Sequence, residues 1–254
     1  MTHIRIGVQL HPQHSTYAQF AEAVQEAEAL GADTIWNWDH FYPLYGEADG
    51  PHFEGWTLLT AMATLTKRAE VGCLVTCNSY RNANLLADMA RTVDHISSGR
   101  LILGIGAGWF ERDYQEYGYE FGTAPDRLRA LRESLPVIKA RWEKLNPPPT
   151  RKIPILIGGG GEKVTLKLAA QYADTWHGFG PLENFKRKSE ILDNWCREVG
   201  RDPAEIERSI SPGREEGENY DAYLAAGATH FILGVGAPFD LSGLKRLIEW
   251  RDSK

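Results

Sequence analysis

Eight times along the chain a short apolar run of strand length is followed by a longer amphipathic segment of helical period, and this rhythm constrains the fold more than any other feature. "IRIGVQL" (4–10) precedes a helix over 16–30, where Phe20, Val24, Ala27 and Leu30 keep helical spacing up to Gly31. The pattern then predicts strands over 34–38, 69–77 and 101–106, with helices over 56–66 and 82–97 between them. A long loop follows the fourth strand, and a helix resumes over 125–142. Strands over 153–158, 173–179, 205–211 and 229–235 alternate with helices over 163–172, 181–199, 217–226 and 240–251. Eight such units in 254 residues predict a single-domain α/β chain, a (β/α)8 TIM barrel over 1–254. The rival, a doubly wound open sheet, usually carries fewer strands and a Gly-rich first turn, which "VQLHPQHS" lacks. The Pro-rich stretch within 143–152 ends a helix and does not join two domains.

In such barrels the reactive groups sit at the C-terminal ends of the strands and in the loops just after them. Those ends carry Gln9 and His11; Trp38, Asp39 and His40; Thr76, Cys77, Asn78 and Arg81; and "GIGAGWFE" (104–111). They continue with "GGGGEK" (158–163), "TWHGFG" (175–180), Ser211 and "GVGAP" (234–238). Glycine, amide, hydroxyl and aromatic groups dominate, and carboxylates are scarce. A metal-dependent hydrolase needs several His, Asp and Glu ligands converging on one ion. Here His11 and His14 stand three apart across a proline, with only His40 and His177 to add, so no metal is expected.

Formal net charge is -6, which gives no reason to expect a nucleic-acid partner. There is no long apolar run and no signal-type start, so a soluble, cytoplasmic protein without a membrane partner is expected. Cys73, Cys77 and Cys196 are too few for a disulfide framework and are taken as reduced. Alternation along one strand would place Cys73 and Cys77 roughly 13 Å apart, too far to share a metal.

"GGGGEKV" follows a strand and opens a helix, so bare backbone can approach an anion favoured by the helix N-terminus. A plain tight turn is the alternative. Neither the P-loop nor the Gly-x-Gly-x-x-Gly pattern is met. Glycines at 104, 106 and 108 bare the end of the fourth strand, either for a flat ligand or for close packing between strands. A flat ligand with a phosphate tail points to a flavin or deazaflavin, which Trp38, Trp109 and Trp176 could wall unless they fill the core. The loop 107–124 holds Trp109, Phe110, Tyr114, Tyr117, Tyr119 and Phe121, read either as an aromatic entrance or as a loop core or dimer contact.

With "WDHF" (38–41), "CLVTCNSYRN" (73–82), "LADMARTVDHISSGRLILGIGAGWFERDY" (86–114), "GTAPDRLRALRESL" (122–135), "IPILIGGGGEKVTLKLAAQYADTW" (153–176) and "AGATHFILGVGAPFD" (226–240), the chain resembles the bacterial-luciferase-like family, in its F420-dependent oxidoreductase branch. The resemblance implies a barrel that holds coenzyme F420, or FMN as the alternative, at the strand C-termini, usually in a homodimer acting on a small-molecule substrate. It implies that Trp38, Asp39 and His40 sit by the ring, with His40 as proton donor or acceptor in hydride transfer. It places a non-prolyl cis peptide at Leu74–Val75, bracing the tricycle beside Thr76 and Asn78. Gly106, Ala107 and Gly108 would line the ring and ribityl chain, and Gly159, Gly160 and Gly161 would receive the phosphate by backbone N–H, with Gly158 counted among the cofactor-binding residues beside them. Arg127 falls near an arginine that grips the flavin phosphate in luciferases. Sugar-phosphate dehydrogenases of the family carry a glutamate acid where this chain has Trp109, which argues against that substrate class. Relatives often have Asn where this chain has His177, and "SPGREEGENYD" (211–221) is short, implying a reduced lid. Arg81, Arg112 and Lys163 are the basic residues that could meet an acidic cofactor tail, or simply face solvent. Two rival functions within this frame are FMN-dependent monooxygenation and flavin binding without turnover.

Overall fold

In a computed structural model, which describes residues 3–212 and 219–254, nine parallel strand segments form one sheet curled into a barrel with helices between them. In chain order the strands are β1 (Arg5–Leu10), β2 (Thr34–Asn37), β3 (Glu70–Cys73), β4 (Thr76–Cys77), β5 (Leu103–Gly106), β6 (Ile155–Gly158), β7 (Thr175–Phe179), β8 (Glu207–Ser211) and β9 (His230–Val235). Among the described residues the helices are α1 (Tyr17–Leu30), α2 (Gly55–Leu65), α3 (Ala83–Ile96), α4 (Glu111–Tyr117), α5 (Ala124–Trp142), α6 (Thr165–Tyr172), α7 (Leu182–Val199), α8 (Tyr220–Ala225) and α9 (Ser242–Asp252). The sheet order β3-β2-β1-β9-β8-β7-β6-β5-β4 begins and ends on two halves of one pass of the chain. A parallel bridge from Val71 to Leu101 closes the ring between β3 and the lead-in to β5, so the fold is the expected TIM barrel.

The third barrel strand does not run unbroken over 69–77. Leu74–Val75 is cis, and the strand stops at Cys73 and resumes at Thr76. The Gln9 side chain donates to the Leu74 carbonyl from inside the barrel. The long loop after β5 also contains an unforeseen helix, α4. The helix expected over 217–226 starts among residues outside the described ones, as does most of the short segment 211–221.

Local chemistry explains the boundaries. Thr16 and Gln19 form a reciprocal capping box at the start of α1, and Gly31 ends it at φ 105°. After α3, Arg100 in the "SSGR" turn donates to the carbonyls of Ala63, Thr66 and Ala69, pinning the end of α2 to the start of β3. The largest apolar cluster fills the layer between strands and helices, while Trp36, Leu74, Ile102, Leu156 and Ile232 fill the barrel itself.

The N-terminal end of the barrel is shut by first residues of strands. Arg5 bridges Glu70 and Glu207, and Arg151 also reaches Glu70. His230 Nδ1–H donates to Glu207 at 3.1 Å, and the Thr175 hydroxyl donates to the same carboxylate at 3.0 Å. Burial pushes the Glu207 carboxyl up, but His230, Arg5 and Thr175 together outweigh it and hold the group at about 2. Among the described residues no helix is long and apolar enough to cross a membrane.

Candidate active site

At the opposite end, a cavity of about 420 Å³ opens among the strand C-termini. Leu74 and Val75 line it together with Gln9, Trp38, Asp39, His40, Leu44 and Cys77. Gly106, Ala107, Gly108 and Trp109 border it, as do Gly158, Gly159, Thr165 and Phe179. Trp109 and Phe179 remain 63% and 54% exposed, which places them at its mouth.

His40 stands just past β2 and is nearly buried. Its Nδ1–H donates to Asp113 Oδ2 at 2.7 Å. Asp113, in the first turn of α4, has no exposed side-chain surface and also accepts from the main-chain N–H groups of Phe41 and Tyr42 and from the Tyr80 hydroxyl. A carboxylate accepts only, so Nδ1 must carry the hydrogen in this bond. Nε2, with no partner among the described residues, is left as the nitrogen available to the cavity. Trp38, Trp109 and Phe110 present rings edgewise to His40, with centroids 5.5–6.1 Å away.

Beside it, Trp38 stacks on His11 at 4.3 Å and donates its indole N–H to His52 Nε2 at 3.0 Å. Burial, and after it the neighbouring His40, lowers the His52 pKa to about 4, so this acceptor is neutral at neutral pH. Asp39 also borders the cavity, but its carboxylate is spoken for. It accepts two bonds from Arg81 at 2.6 and 2.9 Å and a third from the Cys77 N–H, tying the end of β2 to β4. Cys77 is no nucleophile, since burial raises its thiol to about 11.

The glycines divide into two groups. On Gly104 a Cβ would lie 2.1 Å from the Cys73 carbonyl oxygen, on Gly106 2.8 Å from Val75 Cγ2, and on Gly108 2.0 Å from the Tyr114 hydroxyl. Close packing therefore accounts for all three missing side chains, although the backbone of 106–108 still borders the cavity. Gly158 likewise leaves room for Val75, at 2.8 Å. Gly159 adopts φ 115°, and its N–H is used by the His177 carbonyl, which corrects the expectation that it faces an anion. Gly160 and Gly161 have N–H groups with no acceptor among the described residues.

Other expected site residues lie elsewhere. Trp176 is fully buried against Phe185 of α7, its N–H donating to the Gly159 carbonyl at 2.8 Å; it braces the glycine loop from behind and is not part of the cavity wall. Arg127 donates to the carbonyls of Gly108 and Phe121 and lies 3.9 Å over the Phe121 ring, so it shapes the loop and does not reach the cavity. Thr76 and Asn78 are buried just outside the lining. Tyr114, Tyr119 and Phe121 join Phe41, Cys77 and Tyr80 in a small core, and Tyr117 stacks on Phe41 at 3.9 Å. Of the aromatic residues between 107 and 124, Trp109 alone borders the cavity. Arg81 pairs with Asp39 and Glu54, and Arg112 with Asp49, so neither is a free cation at the mouth. Sequence reasoning missed Asp113 and Tyr80; an acid in a helix first turn is too ordinary a signal to single out.

A TIM barrel whose C-terminal cavity runs from a buried His–Asp pair to a glycine loop opening a helix has the layout of a cofactor-dependent enzyme site. The family model of the luciferase-like monooxygenases matches residues 1–231, and the chain belongs to that family. A curated relative, the F420-dependent glucose-6-phosphate dehydrogenase of Amycolatopsis mediterranei (strain U-32), is 28% identical over 190 residues, covering 67% of this chain and 56% of its own length. The chain thus spans little more than half of that relative. Among solved structures, an F420-dependent secondary alcohol dehydrogenase in complex with an F420-acetone adduct superposes with a TM-score of 0.86 at 20% identity, covering 97% of this chain and 98% of the other. The coenzyme F420 dependent tetrahydromethanopterin reductase from Methanopyrus kandleri gives a TM-score of 0.77 at 18% identity, with 97% of each chain covered.

Proposed function

We propose that this protein is an F420-dependent oxidoreductase that moves a hydride between the cofactor and a small organic substrate, with His40 handling the accompanying proton. The observation that carries the reading is the meeting, in one cavity, of the bare strand ends at Gly106, Gly158 and Gly159 with an oriented His40. The F420-dependent relative and neighbours support the choice of cofactor over FMN. The fit to a phosphate-bearing, planar group rests on this chain's own geometry: Leu74 and Val75 give the cavity an apolar surface, and Gly160 and Gly161, next in the chain after the lining residue Gly159, offer main-chain N–H groups.

Bound F420 supplies a ring carbon that gives or takes a hydride. The protein's part is positional. Val75, seated between Gly106 and Gly158, offers a fixed surface for one face of a ring. Trp38 and Trp109 confine a small molecule beside His40, and holding two reacting carbons in contact can supply several kcal/mol of the barrier. Asp113 fixes the imidazole so that Nε2 faces the cavity as a proton acceptor, and its carboxylate stabilises the cation once the proton arrives. In the reverse direction the same nitrogen returns the proton. The exposed Trp109, in place of an acid, suits an apolar substrate better than a sugar phosphate.

Fluorescence titration of the purified protein with F420 and with FMN tests the reading. Saturable F420 binding, with FMN weaker, is expected. Binding of FMN without F420, with a transient peroxyflavin spectrum when reduced FMN meets air, would replace it with monooxygenation.

A further inference from the structure

Resting on the cofactor reading above, we infer that Gln9 is a specificity-determining residue whose side-chain oxygen accepts the imide N–H of the bound ring and so fixes which end of the ring lies beside β1. Alternation along β1 sends Ile6, Val8 and Leu10 out to the layer under the helices, and Arg5, Gly7 and Gln9 into the barrel. Arg5 belongs to the sealed base. Gly7 follows at mid-height, where a Cβ would fall 2.2 Å from Thr34 Oγ1. Gln9 is the inward residue nearest the open end, and it lines the cavity. Its Nε2 donates to the Leu74 carbonyl. A carbonyl only accepts, so this bond fixes the amide: nitrogen toward Leu74, oxygen left for another partner. Oε1 has none among the described residues and is open to the cavity.

The cavity that this oxygen meets is walled largely by Trp38, Leu44, Leu74, Val75, Trp109 and Phe179. Asp39 is bound up with Arg81 and the Cys77 N–H, and His40 is engaged at Nδ1. An acceptor covered by a ligand without a donor costs about as much as a lost hydrogen bond, so the ligand that fits here brings a donor to Gln9. The oxidised flavin and deazaflavin rings share one ring N–H, the imide nitrogen of the pyrimidine end, flanked by two carbonyl groups. The second hydrogen on Nε2 is the match for one of those carbonyls, so carboxamide and imide complement each other as donor and acceptor. The placement agrees. Gln9 lies opposite Trp36 of β2, the strand that leads to His40, and three strands separate β1 from β6, so Gly158 and Gly159 face it from the far wall. A ring gripped by its pyrimidine end at Gln9 cannot turn end for end on Val75, which keeps one orientation toward His40. Sequence alone gives Gln9 no such task, because a strand-end glutamine says nothing until a second contact fixes its amide.

The test is a fluorescence titration of the full-length wild type, Gln9→Leu and Gln9→Lys, with F420 and with F420 methylated at the imide nitrogen. In the wild type methylation should raise the Kd about tenfold or more, since it removes the donor and leaves Oε1 covered without one. Gln9→Leu should raise the Kd for unmodified F420 about three- to tenfold. In both variants the effect of methylation should shrink to within about twofold, as coupling through one bond requires. Gln9→Lys still donates to the Leu74 carbonyl, so it separates loss of the oxygen from loss of that brace. A wild-type Kd that methylation leaves unchanged overturns the inference without any variant, and so does a methylation effect of equal size in all three proteins. Failure of the wild type to bind F420 overturns the cofactor reading instead. FMN and its imide-methylated form then carry the same comparison, because the two rings share that edge.

Discussion

Replacing Asp113 by Asn changes one atom of a buried side chain and should reverse the polarity of the candidate active site. The carboxylate accepts four bonds: Oδ1 takes the N–H groups of Phe41 and Tyr42, and Oδ2 takes His40 Nδ1–H and the Tyr80 hydroxyl. In the variant the amide oxygen can keep the two main-chain donors, which puts NH₂ where Oδ2 stood, facing two former donors. His40 escapes the conflict by shifting its hydrogen to Nε2 and accepting at Nδ1, and Tyr80 turns its hydroxyl away. One charge-assisted bond is lost and another weakened, at a cost of about 1.5–3 kcal/mol. For a chain of this size that lowers Tm by roughly 4–10 °C. The cavity-facing nitrogen becomes a donor, and the proton-transfer contribution to turnover falls by about 10²–10⁴. Long-range ¹H–¹⁵N NMR of the His40 ring reads the tautomer directly: hydrogen on Nδ1 in the wild type, on Nε2 in Asp113→Asn. In a His40→Ala background the same substitution should cost little further rate. A wild-type ring with its hydrogen on Nε2, or full turnover in Asp113→Asn, would refute the orienting role.

Two further outcomes follow from the packing. Gly108→Ala places a methyl 2.0 Å from the Tyr114 hydroxyl and 2.6 Å from Cys77 Sγ at a backbone φ of 83°, so left-handed strain and overpacking together should cost about 2–5 kcal/mol, read as a lower urea midpoint. Burial holds His177 neutral, with a pKa lowered to about 3, and the His52 pKa is lowered to about 4. Below the unfolded value of about 6.5 the unfolded chain therefore binds protons that the native one refuses, and stability falls with falling pH by about 1.4 kcal/mol per unit for each histidine until the folded values are reached. Glu207 adds to the same trend below about 4.5, since its folded pKa is depressed. Urea midpoints measured from pH 7 to 4 should drop steadily, and His177→Asn should flatten the slope.

The barrel was legible because eight apolar runs keep strand length and the segments between them keep helical period. The break in its third strand was not. "EVGCLVTC" reads as one strand, and only the resemblance to a family marked Leu74–Val75. Helix α4 escaped because seven mostly charged and aromatic residues make too short a stripe to show a period. His40 and Trp38 could be found as strand-end residues, yet the same rule misplaced Trp176. In β7 its neighbour His177 points inward to Ser209, so parity turns the indole outward onto Phe185. The bare glycines of "GIGAG" invited a ligand, but the space belongs to Cys73, Val75 and Tyr114. Asp113 could not be read at all, because 73 positions of chain separate it from the histidine it orients.

The ionic closure of the barrel base by Arg5, Glu70 and Glu207 has a kinetic consequence. A vessel sealed at one end fills and empties in order. Whatever lies on Val75 must enter before anything that sits above it under Trp109 and Phe179, and cannot leave until that upper guest has gone. Turnover should accordingly show a compulsory sequence, cofactor first on and last off, with initial-rate patterns of an ordered ternary complex in which the released cofactor form inhibits competitively against the entering one and the outer product inhibits non-competitively against the outer substrate.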